Sequence, residues 1–253
     1  MNNFTVHHVT RIDSTNTQLM LWAARQNCHQ IALVADEQTA GRGQRGRQWI
    51  AATGDALLCS IAWQFPRATA LDGLSLAVGV LLAEALDACV GSEAGHRLRL
   101  KWPNDLVIDE SHKLGGILIE TVASEAATRT AVIGIGLNLR TPQLALAADA
   151  LPGIGLKAWA GCEAQRDAVL QAILSSLEVG LEAFSQRGFA AFQARWWDRC
   201  AFLARQLTVR LPDGAILTGQ IQSVTERGAL VIESERGIQT LVSGEVSLRV
   251  ASS

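Results

Sequence analysis

The chain has 253 residues and a formal net charge of −2, and 49% of its residues are hydrophobic. This length and apolar content suit one large domain, or one domain with a small appendage, and provide ample material for a core. The slight negative charge argues against a general nucleic-acid binder, because such proteins usually carry a clear basic excess.

The cysteines and the N-terminus indicate a cytoplasmic protein. The five cysteines are odd in number and form no Cys-x-x-Cys pair. We therefore expect reduced, mostly buried thiols and neither a disulfide framework nor a zinc site. The N-terminus lacks a basic-then-apolar signal segment, and no apolar run reaches membrane-spanning length, so no membrane segment is expected.

The first predicted elements are a short strand over residues 6–12 and a helix that follows it. His7 and His8 are adjacent in the strand and point to opposite faces, so they are poorly placed to share a metal. The stretch Asp13-Ser14-Thr15-Asn16 supplies N-cap side chains before a helical apolar pattern. These residues can act as caps alone, or can also contact a ligand, because a helix start exposes free N–H groups.

A predicted strand at 31–35 leads into a loop with the sequence Gly41-Arg42-Gly43-Gln44-Arg45-Gly46-Arg47-Gln48-Trp49. Glycines let backbone N–H groups approach a ligand, and guanidiniums match phosphate and carboxylate oxygens. The loop has no apolar face to bury, so we expect it to be mobile until an anion orders it. Taken alone, it is as typical of a solvated basic loop, or of an element that touches RNA backbone, as it is of a loop that binds an anionic ligand.

The middle of the chain predicts a sheet covered by helices. An apolar run at 56–65 predicts an interior strand, and helical spacing over 71–85 predicts a core-facing helix. Residues 98–107 predict a strand, a turn and a second strand. The strands predicted at 113–120 and 130–139 each carry two glycines. Glycines on neighbouring strands indicate a sheet with something lying across a bare patch of its face.

The last third of the chain predicts helices and then a small β domain. Residues 141–162 predict a loop with short helical turns, followed by helices over 169–184 and about 189–202. Trp196 and Trp197 in the second of these are expected in the core. From about Leu207, short β-rich runs separated by turns predict a small all-β barrel. We therefore expect two domains, residues 1–204 and 205–253.

Four motifs in fixed order carry a family resemblance. They are Gly-Arg-Gly-x-x-Gly-Arg-x-Trp, Lys-Trp-Pro-Asn-Asp-Leu, Lys-Leu-Gly-Gly-Ile-Leu-Ile-Glu and Gly-Ile-Gly-Leu-Asn-Leu. Each is weak alone, but together they resemble the biotin protein ligases over about residues 9–250. The resemblance implies an α+β fold with a mixed, largely antiparallel sheet, packing helices and an SH3-like C-terminal barrel. It also implies ATP-dependent formation of biotinyl-5′-AMP and transfer of biotin to a lysine of a biotin carboxyl carrier protein, as in acetyl-CoA carboxylase.

The resemblance also implies the site residues. The residues expected to bind biotin and its adenylate are Ser14, Thr15, Asn16, Gln38, Gly41, Arg42, Gly43, Gln44, Trp49, Lys113, Gly116 and Gly134. Those expected on the ATP side are Lys101, Asn104, Asp105 and Asn138. Lys113 and Arg42 are the predicted catalytic residues, because cationic donors stabilise the charge that builds up when two anions meet. No protein ligand for a metal is predicted, and Mg²⁺ is expected to arrive on the ATP phosphates.

Two features depart from the commonest pattern of the family. Gln44 stands where family members commonly have arginine, which predicts faster release of the adenylate unless Arg45 restores the charge. The Ser14 motif lies close to the N-terminus and leaves no room for the DNA-binding domain of bifunctional members. We therefore expect no specific DNA binding.

Three alternatives stay open at this point. One is a lipoate or other acyl-protein ligase, the second is a biotin or adenylate sensor without transferase activity, and the third is a binder of RNA backbone. The acidic balance opposes the third, and the presence of both Lys101 and Lys113 opposes the second. Both a monomer and a homodimer fit the sequence.

Overall fold

The predicted strands of the first 138 residues form one seven-stranded sheet. The computed structural model describes residues 2–90, 97–122, 127–143, 151–161, 165–203, 205–211, 215–242 and 247–250. The strands of this sheet are β1 (Thr5–Ile12), β2 (Ile31–Gln38), β3 (Ala56–Pro66), β4 (Leu98–Lys101), β5 (Asp105–Ile108), β6 (His112–Val122) and β7 (Thr128–Asn138). Their order is β1-β2-β3-β7-β6-β5-β4. Only the β1–β2 pair is parallel, so the prediction of a mixed, largely antiparallel sheet is confirmed.

Helices pack on both faces of this sheet. They are α1 (Thr15–Ala23), α2 (Leu74–Val90), α3 (Leu156–Ala160), α4 (Arg166–Arg187) and α5 (Gln193–Trp197), with 3₁₀ turns at Gln44–Gly46 and Phe189–Ala191. Helices α2 and α4 pack against each other and against one sheet face, and α1 packs against the other face. By length and composition α4 is apolar enough to cross a membrane, but most of its large apolar residues are buried in this core, with Val179 as an exposed exception.

The helix predicted over about 189–202 is wrong in extent. The chain makes a 3₁₀ turn there and then the five-residue α5, which ends at Trp197. The residues after it turn to cover the edge strand β4: Leu100 N–H donates to Arg199 O at 2.7 Å, and Ala201 N–H donates to Leu100 O at 3.0 Å. An exposed strand edge favours such pairing over a longer helix. Trp196 is buried as predicted, and Trp197 packs partly buried against the core.

The two-residue alternation of the central strands decides which side chains can meet a ligand. On β3, Leu57 and Ile61 point into the core formed with α2 and α4. The intervening Ser60 therefore points to the opposite face, where α1 lies. On β7 the same alternation puts Gly134 and Gly136 on the α1 face. That face is where the candidate site is built.

The C-terminal residues form a separate antiparallel sheet. Its strands are β8 (Leu207–Arg210), β9 (Ile216–Val224), β10 (Leu230–Ser234), β11 (Gly237–Leu241) and β12 (Ser247–Val250), in the order β11-β10-β9-β8-β12. A small C-terminal β unit is thus confirmed, and its closure into a barrel stays a prediction. The turn between β9 and β10 contacts the turn between β4 and β5 and the residues before α2, because Trp102 Nε1 donates to Gly228 O at 3.0 Å and Arg227 pairs with Asp72 at 2.9 Å.

Candidate active site

A pocket lies on the α1 face of the large sheet, between the start of α1, the loop 41–49 and the glycine-bearing strands β6 and β7. The residues that line it are Ser14, Thr15, Asn16, Gln38, Arg42, Gly43, Gln44, Arg45, Arg47, Gln48, Trp49, Leu58, Cys59, Ser60, Lys101, Trp102, Pro103, Asn104, Asp105, Lys113, Gly116, Ile117, Leu118, Gly134, Ile135 and Gly136. All four sequence motifs contribute to this list. Residues from distant parts of the chain therefore converge on one cavity.

The start of α1 supplies a buried polar end to the pocket. Ser14 is the N-cap residue in an extended conformation, and its hydroxyl accepts from Thr17 N–H at 3.4 Å. Ser14, Thr15 and Asn16 are each no more than 3% exposed. Capping alone would not bury three polar side chains next to a cavity, because buried polar groups are costly unless they are paired. Ser14 therefore caps the helix, while all three residues also line the pocket.

A chain of hydrogen bonds links these side chains. Thr15 N–H donates to Gln38 Oε1 at 2.7 Å, and Thr15 Oγ1 lies 3.0 Å from the same oxygen. Thr15 Oγ1 is also 2.7 Å from Ser60 Oγ, which lies 3.0 Å from Asn16 Oδ1. Two hydroxyls, with one hydrogen each, thus join two acceptor oxygens through three contacts. One contact must always lack a hydrogen, so the network is built to receive a donor.

The acidic residue Glu120 continues this chain to the loop. Asn16 Nδ2 donates to Glu120 Oε2 at 2.7 Å. Arg42 pairs with the same carboxylate through both terminal nitrogens, each at 2.8 Å. The anion that holds Arg42 in this structure is therefore a carboxylate of the chain itself.

The loop 41–49 forms a short hairpin over the pocket. Trp49 N–H donates to Gly41 O at 2.9 Å, and Gly43 N–H donates to Arg47 O at 2.8 Å. Arg45 occupies the left-handed region at its tip, with φ of 59°. Burial, and then the neighbouring charge of Arg47, lower the pKa of Arg45. Arg45 and Gln44 both line the pocket.

The Trp49 indole lies against the bare patch of the sheet. A Cβ atom on Gly136 would come within 2.6 Å of its ring, and one on Gly134 would come within 2.7 Å of Asn16 Oδ1. The absence of side chains at both positions is thus required by close packing. The indole N–H of Trp49 is buried and has no acceptor among the described residues. It is a further donor for a ligand that enters the pocket.

The opposite end of the pocket is charged. Lys113 Nζ lies 2.6 Å from Asp105 Oδ1, and Lys101 Nζ lies 3.9 Å from Asp105 Oδ2. A Cβ on Gly116 would lie 3.3 Å from Lys113 Nζ. Lys113 Nζ also sits 5.6 Å from the centre of the Trp49 ring. These lysines are two of only three in the chain, which has nineteen arginines. The third, Lys157, is exposed on α3.

Two predicted site residues do not line the pocket. Gly41 closes the base of the hairpin, since a Cβ there would lie 2.3 Å from Trp49 O. Asn138 is buried beneath the site, and its Nδ2 donates to Lys113 O at 3.2 Å. Asn104 lines the pocket, while its side-chain amide donates to Ile117 O at 2.8 Å. Gly41 and Asn138 therefore act on the pocket through their neighbours.

Several residues of the site were not predicted from the sequence. Ser60 lies inside an apolar run, and only the face assignment of β3 reveals its role. Gly136 and Glu120 lie two and four residues from predicted glycines on β7 and β6, so strand alternation alone could have found them.

The described residues contain no group of three or more His, Cys, Asp or Glu side chains that could hold a metal. His7 meets the ring of Trp22 edge to face while His8 contacts Asp36, on opposite faces of the strand as predicted.

Comparisons with known proteins agree with this geometry. Residues 8–138 match the biotin/lipoate A/B protein ligase family, and residues 203–249 match the biotin protein ligase C terminal domain. The chain is 33% identical over 241 residues to the bifunctional ligase/repressor BirA of Escherichia coli, covering 95% of this chain and 73% of that protein. It is 29% identical over 240 residues to the biotin–[acetyl-CoA-carboxylase] ligase of Paracoccus denitrificans, covering 94% of this chain and 98% of that protein. The biotin protein ligase of Aquifex aeolicus, solved with biotin and ATP, superposes with a TM-score of 0.80 at 27% identity, covering 98% of this chain and 99% of that one.

Proposed function

The chain belongs to the biotin/lipoate A/B protein ligase family, and we propose that the pocket on the α1 face binds biotin and ATP side by side. The enzyme is an ATP-dependent biotin protein ligase. It joins biotin to AMP and passes biotin to a lysine of a carrier protein.

The hydrogen-bond chain through Thr15, Ser60 and Asn16 has fewer hydrogens than contacts, and this shortage of donors supports binding of biotin at the polar end of the pocket. The ureido group of biotin has two N–H donors and one carbonyl acceptor. Its N–H groups can donate to the oxygens of the Thr15–Ser60–Asn16 chain, and the Ser14 hydroxyl can donate to its carbonyl. The dithiolane of lipoate has no N–H group and would leave the same oxygens unsatisfied, at a cost of about 1–3 kcal/mol for each buried polar group. This favours biotin over lipoate.

The charged end suits the nucleotide and the reacting carboxylate. An oxygen of the biotin carboxylate attacks the α-phosphorus of ATP, and the bond from that phosphorus to the bridging oxygen of pyrophosphate breaks. Lys113 stabilises the extra negative charge, helped by Lys101 and by arginines of the loop. To do so, Lys113 Nζ leaves Asp105, its partner at 2.6 Å, for the phosphate. The loop hairpin excludes water, which would otherwise hydrolyse the mixed anhydride.

Mg²⁺ fits the site as a companion of ATP. Asp105 provides a carboxylate in the pocket beside Lys101 and Lys113, and carboxylate and phosphate oxygens are the ligands that Mg²⁺ prefers. When bound, the ion neutralises phosphate charge. Asp105 is the residue that would approach it once Lys113 has turned to the α-phosphate.

The acceptor is a biotin carboxyl carrier protein. Its lysine amine attacks the anhydride carbonyl, the carbonyl–phosphate bond breaks, and AMP leaves. The Paracoccus denitrificans and Mycobacterium tuberculosis relatives are named for acetyl-CoA carboxylase, which supports the carrier subunit of that enzyme as the partner. We also propose a cytoplasmic monomer or homodimer without sequence-specific DNA binding, in line with its net charge of −2.

The chain divides into two domains with different roles. Residues 1–204 form the catalytic domain, and residues 205–253 form an SH3-like barrel. The contact of Trp102 with Gly228 supports a role for the C-terminal unit at the site, because Trp102 also lines the pocket.

Pyrophosphate release in the presence of ATP and Mg²⁺ tests the proposal, with biotin and lipoate compared at equal concentration. We expect release with biotin and little with lipoate. Release with lipoate alone would make the chain a lipoate ligase. Tight biotin binding without pyrophosphate release would make it a sensor.

A further inference from the structure

Glu120 occupies an unexpected place for an acidic residue. It lies on β6, and its side chain is 24% exposed on the sheet face that carries the pocket. A site that brings together a carboxylate and a triphosphate would attract both anions better without another negative charge. The carboxylate must therefore act on the protein, because its charge opposes binding of either substrate.

The first arm of Glu120 reaches Asn16. The donation from Asn16 Nδ2 to Glu120 Oε2 at 2.7 Å fixes which way the amide points. A flipped amide would put its oxygen against the carboxylate and its NH₂ against Ser60 Oγ. Glu120 thus keeps Asn16 Oδ1 as an acceptor at the polar end of the pocket, where a ligand N–H is needed.

The second arm of Glu120 reaches the loop. The bidentate pair with Arg42 uses two of the five guanidinium hydrogens and is the strongest geometry of its kind. Three hydrogens stay available for a ligand. The pair ties the hairpin, which begins at Gly41, to strand β6 of the rigid sheet.

We propose that Glu120 is a positioning residue that assembles the site by holding Asn16 and Arg42 with one carboxylate. It does not touch the reacting atoms. It presents the acceptor at the biotin end and holds the loop over the adenylate end, so the two halves of the site form together. This inference rests on the proposed function for its biotin arm, while its loop arm depends on the contacts alone.

The test uses Glu120→Gln and Glu120→Ala in the full chain. Glutamine keeps an oxygen for Asn16 but loses the ion pair, and alanine loses both arms. The matched control is Glu84→Gln, which removes an Arg–Glu pair between α2 and α5, with Arg195 as partner, outside the pocket. Circular dichroism melts of each variant show whether the fold is kept.

Three readouts separate positioning from general destabilisation. The first is the rate of trypsin cleavage after Arg42, Arg45 and Arg47 in protein without added biotin or ATP. The second is the dissociation constant of biotin by calorimetry. The third is KM and kcat for pyrophosphate release. We expect loop cleavage to rise about tenfold in both Glu120 variants. Biotin KM should rise about tenfold for glutamine and about a hundredfold for alanine, with a smaller change in ATP KM.

Several outcomes would overturn the proposal. Loop cleavage and biotin affinity within twofold of the parent in both Glu120 variants would do so. Tighter biotin binding by Glu120→Gln would show that the carboxylate competes with the ligand. In an Arg42→Ala background, Glu120→Ala should add little to loop cleavage, and fully additive effects would remove the second arm. A parent protein that makes no biotinyl-adenylate would refute the proposed function. The cleavage data would still test whether Glu120 holds the loop through Arg42.

Discussion

Replacement of Lys113 by alanine should greatly slow formation of the adenylate while the fold stays intact. The side chain is 31% exposed and pairs with Asp105 at 2.6 Å, so its loss costs little stability. In the transition state it makes a charge-assisted contact worth about 1.5–3 kcal/mol, which corresponds to about a 10- to 150-fold loss of rate. Among the described residues, the freed Asp105 then keeps the one ion pair with Lys101, at 3.9 Å, and repels the phosphate, which adds to the loss.

Single-turnover adenylation with biotin and ATP in excess over enzyme, quenched in acid, measures this step directly. Lys157→Ala is the matched control, because Lys157 is an exposed lysine outside the pocket, and it should adenylate at the parent rate. The double variant Lys113→Ala/Asp105→Asn should recover part of the loss, because the repelling charge is gone. Adenylation by Lys113→Ala within twofold of the parent would remove Lys113 from the mechanism.

Three further predictions follow from the site and the core. Gln44→Arg should slow dissociation of bound adenylate several-fold, and equal rates would show that the charge is already supplied. Gly136→Ala, whose Cβ would lie 2.6 Å from the Trp49 ring, should raise biotin KM at least tenfold without changing the melting temperature by more than a few degrees. Burial raises the pKa of Cys59 and Cys200 to about 12 from 9.0. Because unfolded thiols ionise first, each should lower the unfolding free energy by about 1.4 kcal/mol at pH 10, and Cys200→Ala should shrink the drop between pH 8 and pH 10.

The sheet was predictable because its strands carry strong local signals. The apolar run at 56–65 and the glycine-marked strands at 113–120 and 130–139 became β3, β6 and β7 within a few residues. The helix predicted over about 189–202 runs about five residues too far, because local periodicity there competes with a long-range contact. Residues 199–201 leave the helix and form backbone hydrogen bonds with β4. No residue near them in the sequence indicates this contact.

The site was predictable to the extent that its residues sit in motifs. Lys113, Asn16 and Trp49 were chosen from resemblance, and all three line the pocket. Their hydrogen-bond partners could not be predicted from the sequence, because partners such as Asn16 and Glu120 lie 104 positions apart in the chain. Asn138 was predicted from its motif to contact ATP. In the structure its side chain instead donates a hydrogen bond to the backbone of Lys113 beneath the pocket.

The scarcity of lysine has a chemical consequence for an enzyme that holds an activated acyl group. A mixed anhydride acylates amines, whereas a guanidinium stays protonated and does not attack it. With three lysines and nineteen arginines, the chain keeps its positive charge almost entirely in a form inert to its own intermediate. Two of the three lysines line the pocket, where both pair with Asp105, and the third, Lys157, is exposed. Outside its own pocket the enzyme therefore offers a single lysine that could compete with the lysine of the carrier.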